Sequence, residues 1–323
     1  MMKMAVVGAG AIAVKMSNTI AGLDNVEAYA ISDLSLERAQ AFAKEHNFTK
    51  AYGSTEEMLA DENIDLVYIA VPNTLHYTCV KQALEAGKNV LCEKPFCINT
   101  KQTKEVLALA EEKNLLLTEA IWTRYMPSRK MIDDIIKSGK IGEVTSLTAN
   151  IGYELSEVPR IWDTKFAGGA LLDCGIYLLH FARMIFGERE AKVTSDAVMK
   201  SGVDMCSSIT MNFNNEQMAT MQTNVHAVQN RNGSIFGTKG YMEITNINNP
   251  EEIKVFDEEY NQIEHFIVPK QITGYEYEVL ACQRTLTNGE TECEEIPHAE
   301  TIKVMEIMDG IRDSWGYKFP GEE

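Results

Sequence analysis

Met4-Ala5-Val6-Val7-Gly8-Ala9-Gly10-Ala11-Ile12-Ala13 decides how this chain folds. Four apolar residues run into a glycine turn, and a helical pattern follows. Residues 8–13 match G-x-G-x-x-G/A, with the confirming context of a strand before and a helix after. Gly8 permits the tight turn. Gly10 lets the backbone approach a pyrophosphate, and Ala13 keeps helix and strand close. The helix N-terminus, at Ala11 and Ile12, offers amide donors to phosphate oxygens. Gly8, Gly10, Ala11 and Ile12 are therefore candidate dinucleotide-binding residues. The alternative is an ordinary strand-to-helix turn.

Working outward, the first 120 residues alternate between two textures. Short apolar runs at Met4–Val7, Val26–Ile31, Leu66–Val71, Asn89–Cys92 and Leu115–Thr118 predict strands buried on both faces. Amphipathic stretches at Leu36–His46, Leu75–Ala86 and Thr100–Lys113 predict helices between them. That alternation predicts an α/β class with a doubly wound parallel sheet. After Tyr125 the pattern changes. A helix is expected over Pro127–Ser138, ended by Gly139 and Gly142. Alternating runs follow at Val144–Ile151, Val193–Val198, Ser207–Phe213, Met218–Val225, Ser234–Gly237, Tyr241–Ile244, Ile253–Phe256 and Ile263–Val268. Asn214-Asn215, Asn232-Gly233 and Lys239-Gly240 are turn signals among them. A mostly antiparallel sheet with one polar face is expected. One helix interrupts it near Ala170–Phe186, and two more, Tyr275–Thr287 and Ala299–Trp315, finish the chain. The expected division is a Rossmann domain over 1–122 and an α+β domain over 123–323, with the C-terminal helix free to pack back on the first.

The chain of 323 residues is long enough for two cores. Hydrophobic residues are 45% and charged residues 24%, as in ordinary globular proteins. Asp plus Glu is 47 against Lys plus Arg of 30, a formal charge of −17. Such a field repels phosphate backbones and anionic lipid, so neither nucleic acid nor membrane is an expected partner. The seven cysteines, at 79, 92, 97, 174, 206, 282 and 293, show no paired spacing. No disulfide framework or metal site is expected, and a reducing cytoplasm is the natural compartment. No apolar stretch is expected to reach transmembrane length.

Asp33 ends the second predicted strand. A carboxylate there can accept the ribose hydroxyls of NAD and repel the 2′-phosphate of NADP. The competing role is capping the helix that begins near Ser35. Glu93-Lys94-Pro95 follows the strand Asn89–Cys92, at the carboxyl edge where doubly wound sheets bind ligands. Pro95 is a candidate for a cis peptide bond. Gly168-Gly169-Ala170-Leu171-Leu172-Asp173-Cys174-Gly175-Ile176-Tyr177-Leu178-Leu179-His180 adds a second cluster. In a regular helix Asp173, Tyr177 and His180 share one face. Three polar groups in line on an apolar helix are either a reacting centre or a satisfied buried network.

The glycine turn, Glu93-Lys94-Pro95 and the Gly168–Tyr177 segment together resemble the glucose–fructose oxidoreductase/inositol dehydrogenase (Gfo/Idh/MocA) family. Glu119-Ala120-Ile121-Trp122-Thr123-Arg124-Tyr125-Met126-Pro127 and Met308-Asp309-Gly310-Ile311-Arg312-Asp313-Ser314-Trp315-Gly316 resemble its dimeric dihydrodiol dehydrogenase branch. The resemblance covers essentially the whole chain. It implies an NAD(P)-dependent enzyme that moves a hydride between nicotinamide and a secondary alcohol or carbonyl of a sugar, polyol or cyclic diol. It places Lys94 beside the nicotinamide, Tyr177 as general acid/base and Asp173 one turn earlier. Glu93, Pro72, Asn73 and His76 fall at cofactor positions. Trp122, Arg124, Arg160, Trp162 and His180 are candidate substrate contacts, His180 standing where inositol-type members carry an acid. The branch is typically NADP-linked, whereas Asp33 resembles NAD-using members, so NAD is expected with NADP as the alternative. An ordinary tyrosine has a pKa of about 10, and a cationic Lys94 would lower it. Two rival functions are glycoside cleavage with transient use of NAD, and a non-enzymatic NAD sensor. Family habit adds a homodimer or higher homo-oligomer through the antiparallel sheet, whose polar face is otherwise solvated.

Overall fold

The computed structural model describes residues 1–214 and 216–322. The apolar runs of the first part become β1 (Met2–Val7), β2 (Val26–Ser32), β3 (Lys50–Tyr52), β4 (Leu66–Ile69), β5 (Asn89–Glu93) and β6 (Leu117–Ala120). They form one parallel sheet in the order β3-β2-β1-β4-β5-β6. The order reverses between β1 and β4, the switch point at which such sheets bind ligands. Met4, Ala5 and Val6 are fully buried, as is every residue of β4. Strands covered on both faces need no alternation, hence the continuous apolar runs.

The connecting helices are α1 (Ala11–Ala21), α2 (Leu36–His46), α3 (Thr55–Leu59), α4 (His76–Glu85) and α5 (Thr100–Lys113). α2 buries Ala39, Phe42 and Ala43. Its N-cap is Ser35, whose hydroxyl accepts from Arg38 N at 3.3 Å. Asp33 is therefore not the cap. β3 and α3 lie outside the predicted elements. Three half-exposed residues and a five-residue helix are too short to show a period. β6 starts two residues later than expected. Leu115 N still closes on Ala110 O at 3.0 Å, after Asn114 has turned left-handed, so Leu115 ends α5.

The second sheet carries β7 (Val144–Gly152), β8 (Lys192–Lys200), β9 (Val203–Phe213), β10 (Gln217–Asn224), β11 (Gly233–Gly237), β12 (Gly240–Ile244), β13 (Glu252–Asp257) and β14 (Gln262–Ile267). Its order is β14-β13-β12-β11-β7-β10-β9-β8. β7 and β10 pair in parallel and the other neighbours antiparallel. Six of the eight predicted alternating runs fall within one of these strands, and the runs Met218–Val225 and Ile263–Val268 each extend one residue past β10 and β14. The turn at Asn214-Asn215 lies partly outside the described residues, at Asn215. α6 (Pro127–Lys137) starts with Pro at its first position. α7 (Ile176–Phe186) lies against the sheet, with Ile176, Leu178, Leu179, Phe181 and Ala182 buried. Leu147, Ala149, Ile151, Ile209, Met211, Ala219 and Met221 are buried on the strands. Burial of each large apolar side chain contributes about 1.5–3 kcal/mol.

One expectation needs correction. The run Thr164–Phe186 is long and apolar enough, by length and composition alone, to cross a membrane. Most of it is buried inside the protein, where an apolar core helix has the same composition.

By contacts the chain forms two compact units, Met1–Tyr125 with Gln271–Ile302, and Met126–Lys270 with the residues from Lys303 on. The sequence division at 122/123 leaves 271–302 with the second part. In the structure this segment, which includes α8 (Glu276–Asn288), belongs to the first. The Glu276 carboxylate accepts from Ile272 N, Thr273 N and Gly274 N. Tyr275 stacks on Trp122 with ring centroids 4.3 Å apart, and His298 Nε2 bonds Leu117 O at 2.7 Å. α9 (His298–Ser314) completes the helices.

The Gly168-Gly169 pair has a steric cause. Gly169 has φ +111°, and a Cβ there would strike the Asp204 carboxylate. Asp204 lies on β9, and its Oδ2 accepts from Leu171 N at 2.7 Å. It thus holds the entry to the helical segment at its positive end. Burial pushes this carboxyl up to about 7, opposed by its backbone hydrogen bonds. Gly169→Ala is expected to destabilise the protein by at least about 1–3 kcal/mol, the cost of a strained backbone before the clash is added. Urea unfolding would show it as a lower midpoint; an unchanged midpoint would contradict the steric account.

Candidate active site

The glycine turn leaves β1 beside the tips of both neighbouring strands. Gly8 N donates to Ser32 O at 2.8 Å, and Gly8 has φ +96°. A Cβ on Gly8 would lie 2.9 Å from Ala70 O, so a side chain is excluded. A Cβ on Gly10 would meet nothing within 4 Å. Gly10 is also the N-cap of α1, which has no side-chain cap and no acid in its first turn. The amides at Ala11 and Ile12 thus open a helix of 11 residues with room in front of them. That is the arrangement a phosphate anion needs. Ala13 is fully buried against the sheet.

Asp33 sits at the mouth of this turn. Its Oδ2 accepts from Ala9 N at 3.2 Å and its Oδ1 from Ser35 N at 3.1 Å. Arg38, mostly exposed, lies 3.5 Å from Oδ2. Both carboxylate oxygens are held by backbone amides, so the negative charge is fixed beside the cradle. Leu34 next to it is 96% exposed, an apolar surface available to a flat ring. These residues fit a dinucleotide: a bare cradle for the pyrophosphate and a fixed acid for the ribose.

Acids and a lysine gather where β5 and β6 end. Glu93 closes β5, and Tyr68 on β4 donates to its Oε1. Lys94 N donates to Glu93 Oε2 at 3.2 Å, and the Lys94–Pro95 peptide is cis. The Lys94 side chain remains partly exposed. Pro72 and Asn73 form the turn after β4, leading into α4. His76 is buried behind it, with Nδ1 2.8 Å from Pro95 O and Nε2 2.9 Å from Val71 O. Burial pushes its pKa down and the two carbonyls pull it back up. Glu119, on β6, is raised by burial to about 7, with the bonds from Thr301 and Phe96 opposing the rise. Glu278, on α8, is fully buried and its carboxyl lies well above the usual range, first through burial and then through the charge of Glu93.

Not every expected contact faces open space. Trp122 is 8% exposed and stacked on Tyr275. Arg124 forms a buried ion pair with Glu300 at 2.7 Å. Both lie within the first unit. In the second unit Asp173 Oδ1 accepts from Arg160 Nη1 at 2.9 Å. Trp162 Nε1 donates to Leu155 O at 2.9 Å, and its ring meets His226 edge-on. Tyr177 is half-buried on α7, and His180 is fully buried. Asp173 does not keep the expected α-helical spacing to Tyr177. Residues Leu171–Gly175 form a π-helical turn, which inserts extra backbone before α7. Such turns are common at functional sites. The sequence reading did not single out Tyr68, Glu119 or Glu278. An acid ending the apolar run Leu115–Thr118 was the available signal for Glu119.

Comparison with known proteins agrees with this architecture. Residues 2–121 match the model of an oxidoreductase family with an NAD-binding Rossmann fold. Residues 130–243 match the Gfo/Idh/MocA C-terminal domain. The chain is 34% identical over 310 residues to trans-1,2-dihydrobenzene-1,2-diol dehydrogenase of Xenopus tropicalis, covering 94% of each. The Homo sapiens protein of the same name is 33% identical, with 92% of this chain and 91% of that one covered. Among solved structures, a 3-ketoreductase from Actinomadura kijaniata in complex with NADP and TDP-benzene shares the fold with a TM-score of 0.89. It is 21% identical, with 97% of each chain covered. Levoglucosan dehydrogenase in complex with NADH and levoglucosan shares it at 0.87 and 19% identity, over 98% of this chain and 97% of that one. The two family models together with these full-length similarities establish that the chain belongs to the Gfo/Idh/MocA family of NAD(P)-dependent oxidoreductases.

Proposed function

We propose that this enzyme is a dehydrogenase or reductase of a cyclic diol or sugar, oxidising a secondary alcohol with NAD in preference to NADP. The observation that carries the substrate class is the similarity, over 94% of the chain, to dehydrogenases named for a cyclic trans-diol. The observation that carries the cofactor preference is Asp33, whose charge is fixed beside the glycine cradle by Ala9 N and Ser35 N. A 2′-phosphate placed there would meet a like charge, which costs several kcal/mol unless Arg38 screens it.

Gly8, Gly10 and the N-terminus of α1 hold the pyrophosphate, and Asp33 holds the ribose hydroxyls. Bound NAD supplies the acceptor for a hydride leaving a carbinol C–H. The hydroxyl of the same carbon loses its proton to Tyr177 Oη, and the carbinol becomes a carbonyl. Lys94 Nζ is the cation that the family resemblance assigns to the nicotinamide, and a cation of that kind favours a phenolate over a phenol. Asp173, held by Arg160, orients a substrate hydroxyl.

The second sheet supports a reading of this enzyme as a homodimer. Thr194, Thr210, Thr220, Thr148 and Ser234 stand in register across five strands on its open face. These five side chains are polar and uncharged, and the row turns charged only beyond them, at Glu243 and Lys254, so a second copy centred on the five desolvates no ion among them. Two copies pair through this face. Light scattering is expected to report a dimer for the wild type and a monomer for Thr220→Arg. A monomeric wild type at micromolar concentration contradicts the pairing.

Activity is tested by screening trans-1,2-dihydrobenzene-1,2-diol and a panel of sugars for reduction of NAD and NADP. With an active substrate in hand, Lys94→Ala and Tyr177→Phe are each expected to lower kcat roughly 100-fold or more, the usual contribution of a general acid–base group. Near-normal turnover in both variants would remove them from the mechanism.

A further inference from the structure

Residues Glu93 to Phe96 carry Lys94 past the carboxyl edge of the first sheet. Segments that leave a strand are usually solvated and mobile. This one is held at three successive residues by buried polar side chains. Lys94 N is held by Glu93 Oε2 at 3.2 Å, and Tyr68 engages the other Glu93 oxygen from β4. The Pro95 carbonyl faces His76 Nδ1 at 2.8 Å. Phe96 N donates to Glu119 Oε1 at 3.2 Å, and Thr301 Oγ1 donates to Glu119 Oε2 at 3.1 Å. Tyr68, His76 and Glu119 are 0%, 1% and 2% exposed. β4 and β6 are the strands flanking β5, so the brackets come from both sides.

Stability alone does not require this arrangement. A buried carboxyl costs free energy to desolvate, and apolar residues of the same shape stabilise a core as well or better. What a hydrogen-bonded acceptor adds is direction, because it fixes one atom of one peptide group. We propose that Glu119 and His76 are positioning residues that hold the Lys94–Phe96 backbone from its two flanks, so that the Lys94 ammonium is presented in one direction. This inference rests on the catalytic role proposed above for Lys94.

The test uses full-length protein with NAD and trans-1,2-dihydrobenzene-1,2-diol, beside Lys94→Ala. Glu119→Leu and His76→Phe are expected to lower kcat roughly 10- to 100-fold, the cost of about an ångström of misplacement. KM and the NADH dissociation constant are expected to stay within about a factor of three, as for an interaction made only in the transition state. Glu119→Gln keeps an acceptor for Phe96 N and is expected to recover most of the lost kcat. Folded Glu119→Leu and His76→Phe proteins with wild-type kcat overturn the proposal. So does a loss of kcat that Glu119→Gln does not recover and that NADH binding shares. If Glu119→Leu does not fold, His76→Phe carries the same outcomes. A fully active Lys94→Ala overturns the role of Lys94 itself, and the positioning with it. A slow Lys94→Ala beside fast Glu119→Leu and His76→Phe overturns the positioning alone.

Discussion

The close approach of Gly8 to the backbone of Ala70 is the constraint on which the first unit depends. A Cβ at Gly8 would lie 2.9 Å from Ala70 O, and Gly8 N is bound to Ser32 O. The chain can leave β1 between the tips of β2 and β4 only because no side chain stands there. Leaving at that point starts α1 at Gly10, with its first amides uncapped and space before them. The same turn presents Ala9 N to Asp33, so the acid at the end of β2 is held beside the cradle. The helix start without a side-chain cap and the fixed acid are thus two consequences of one backbone conformation.

Two more strands of the first sheet end in acids as well. Glu93 closes β5 and Glu119 lies near the end of β6, and both are buried. Buried carboxyls need partners or a proton. Glu119 takes donors from Phe96 and Thr301, and Glu93 takes donors from Tyr68 and Lys94. Burial, and then the charge of Glu93, hold the Glu278 carboxyl well above the usual carboxylate range. The sheet edge that presents Lys94 is therefore stiffened by polar groups that are themselves out of water. In the second unit Asp204 does similar work, binding Leu171 N and excluding any side chain at Gly169.

Sequence alone carried most of the fold because its strongest signals are local. β4 is a continuous apolar run and β1, β2 and β5 are mostly apolar, and the strands of the second sheet alternate along their length. β3 and α3 were not legible, since three and five residues carry no measurable period. The place of 271–302 was not legible either. Its ties run through Thr273 to Thr19, Tyr275 to Trp122 and His298 to Leu117, pairs far apart in the chain. The same limit applies to the site. The glycine cradle, Asp33 and Lys94 were visible as motifs. The pairing of Arg124 with Glu300 joins residues 176 apart, and a spacing argument cannot see it. Nor can periodicity foresee the π-helical turn at Leu171–Gly175, whose first amide is bound by Asp204 from 33 residues away.

The central claim is that the glycine turn and Asp33 together form a nucleotide site that rejects a 2′-phosphate. Fluorescence titration of the purified protein with NADH and NADPH measures it directly. NADH is expected to bind at least about 10-fold more tightly, the equivalent of about 1.4 kcal/mol. Equal or tighter binding of NADPH would contradict the claim and assign the dominant charge at the cradle to Arg38.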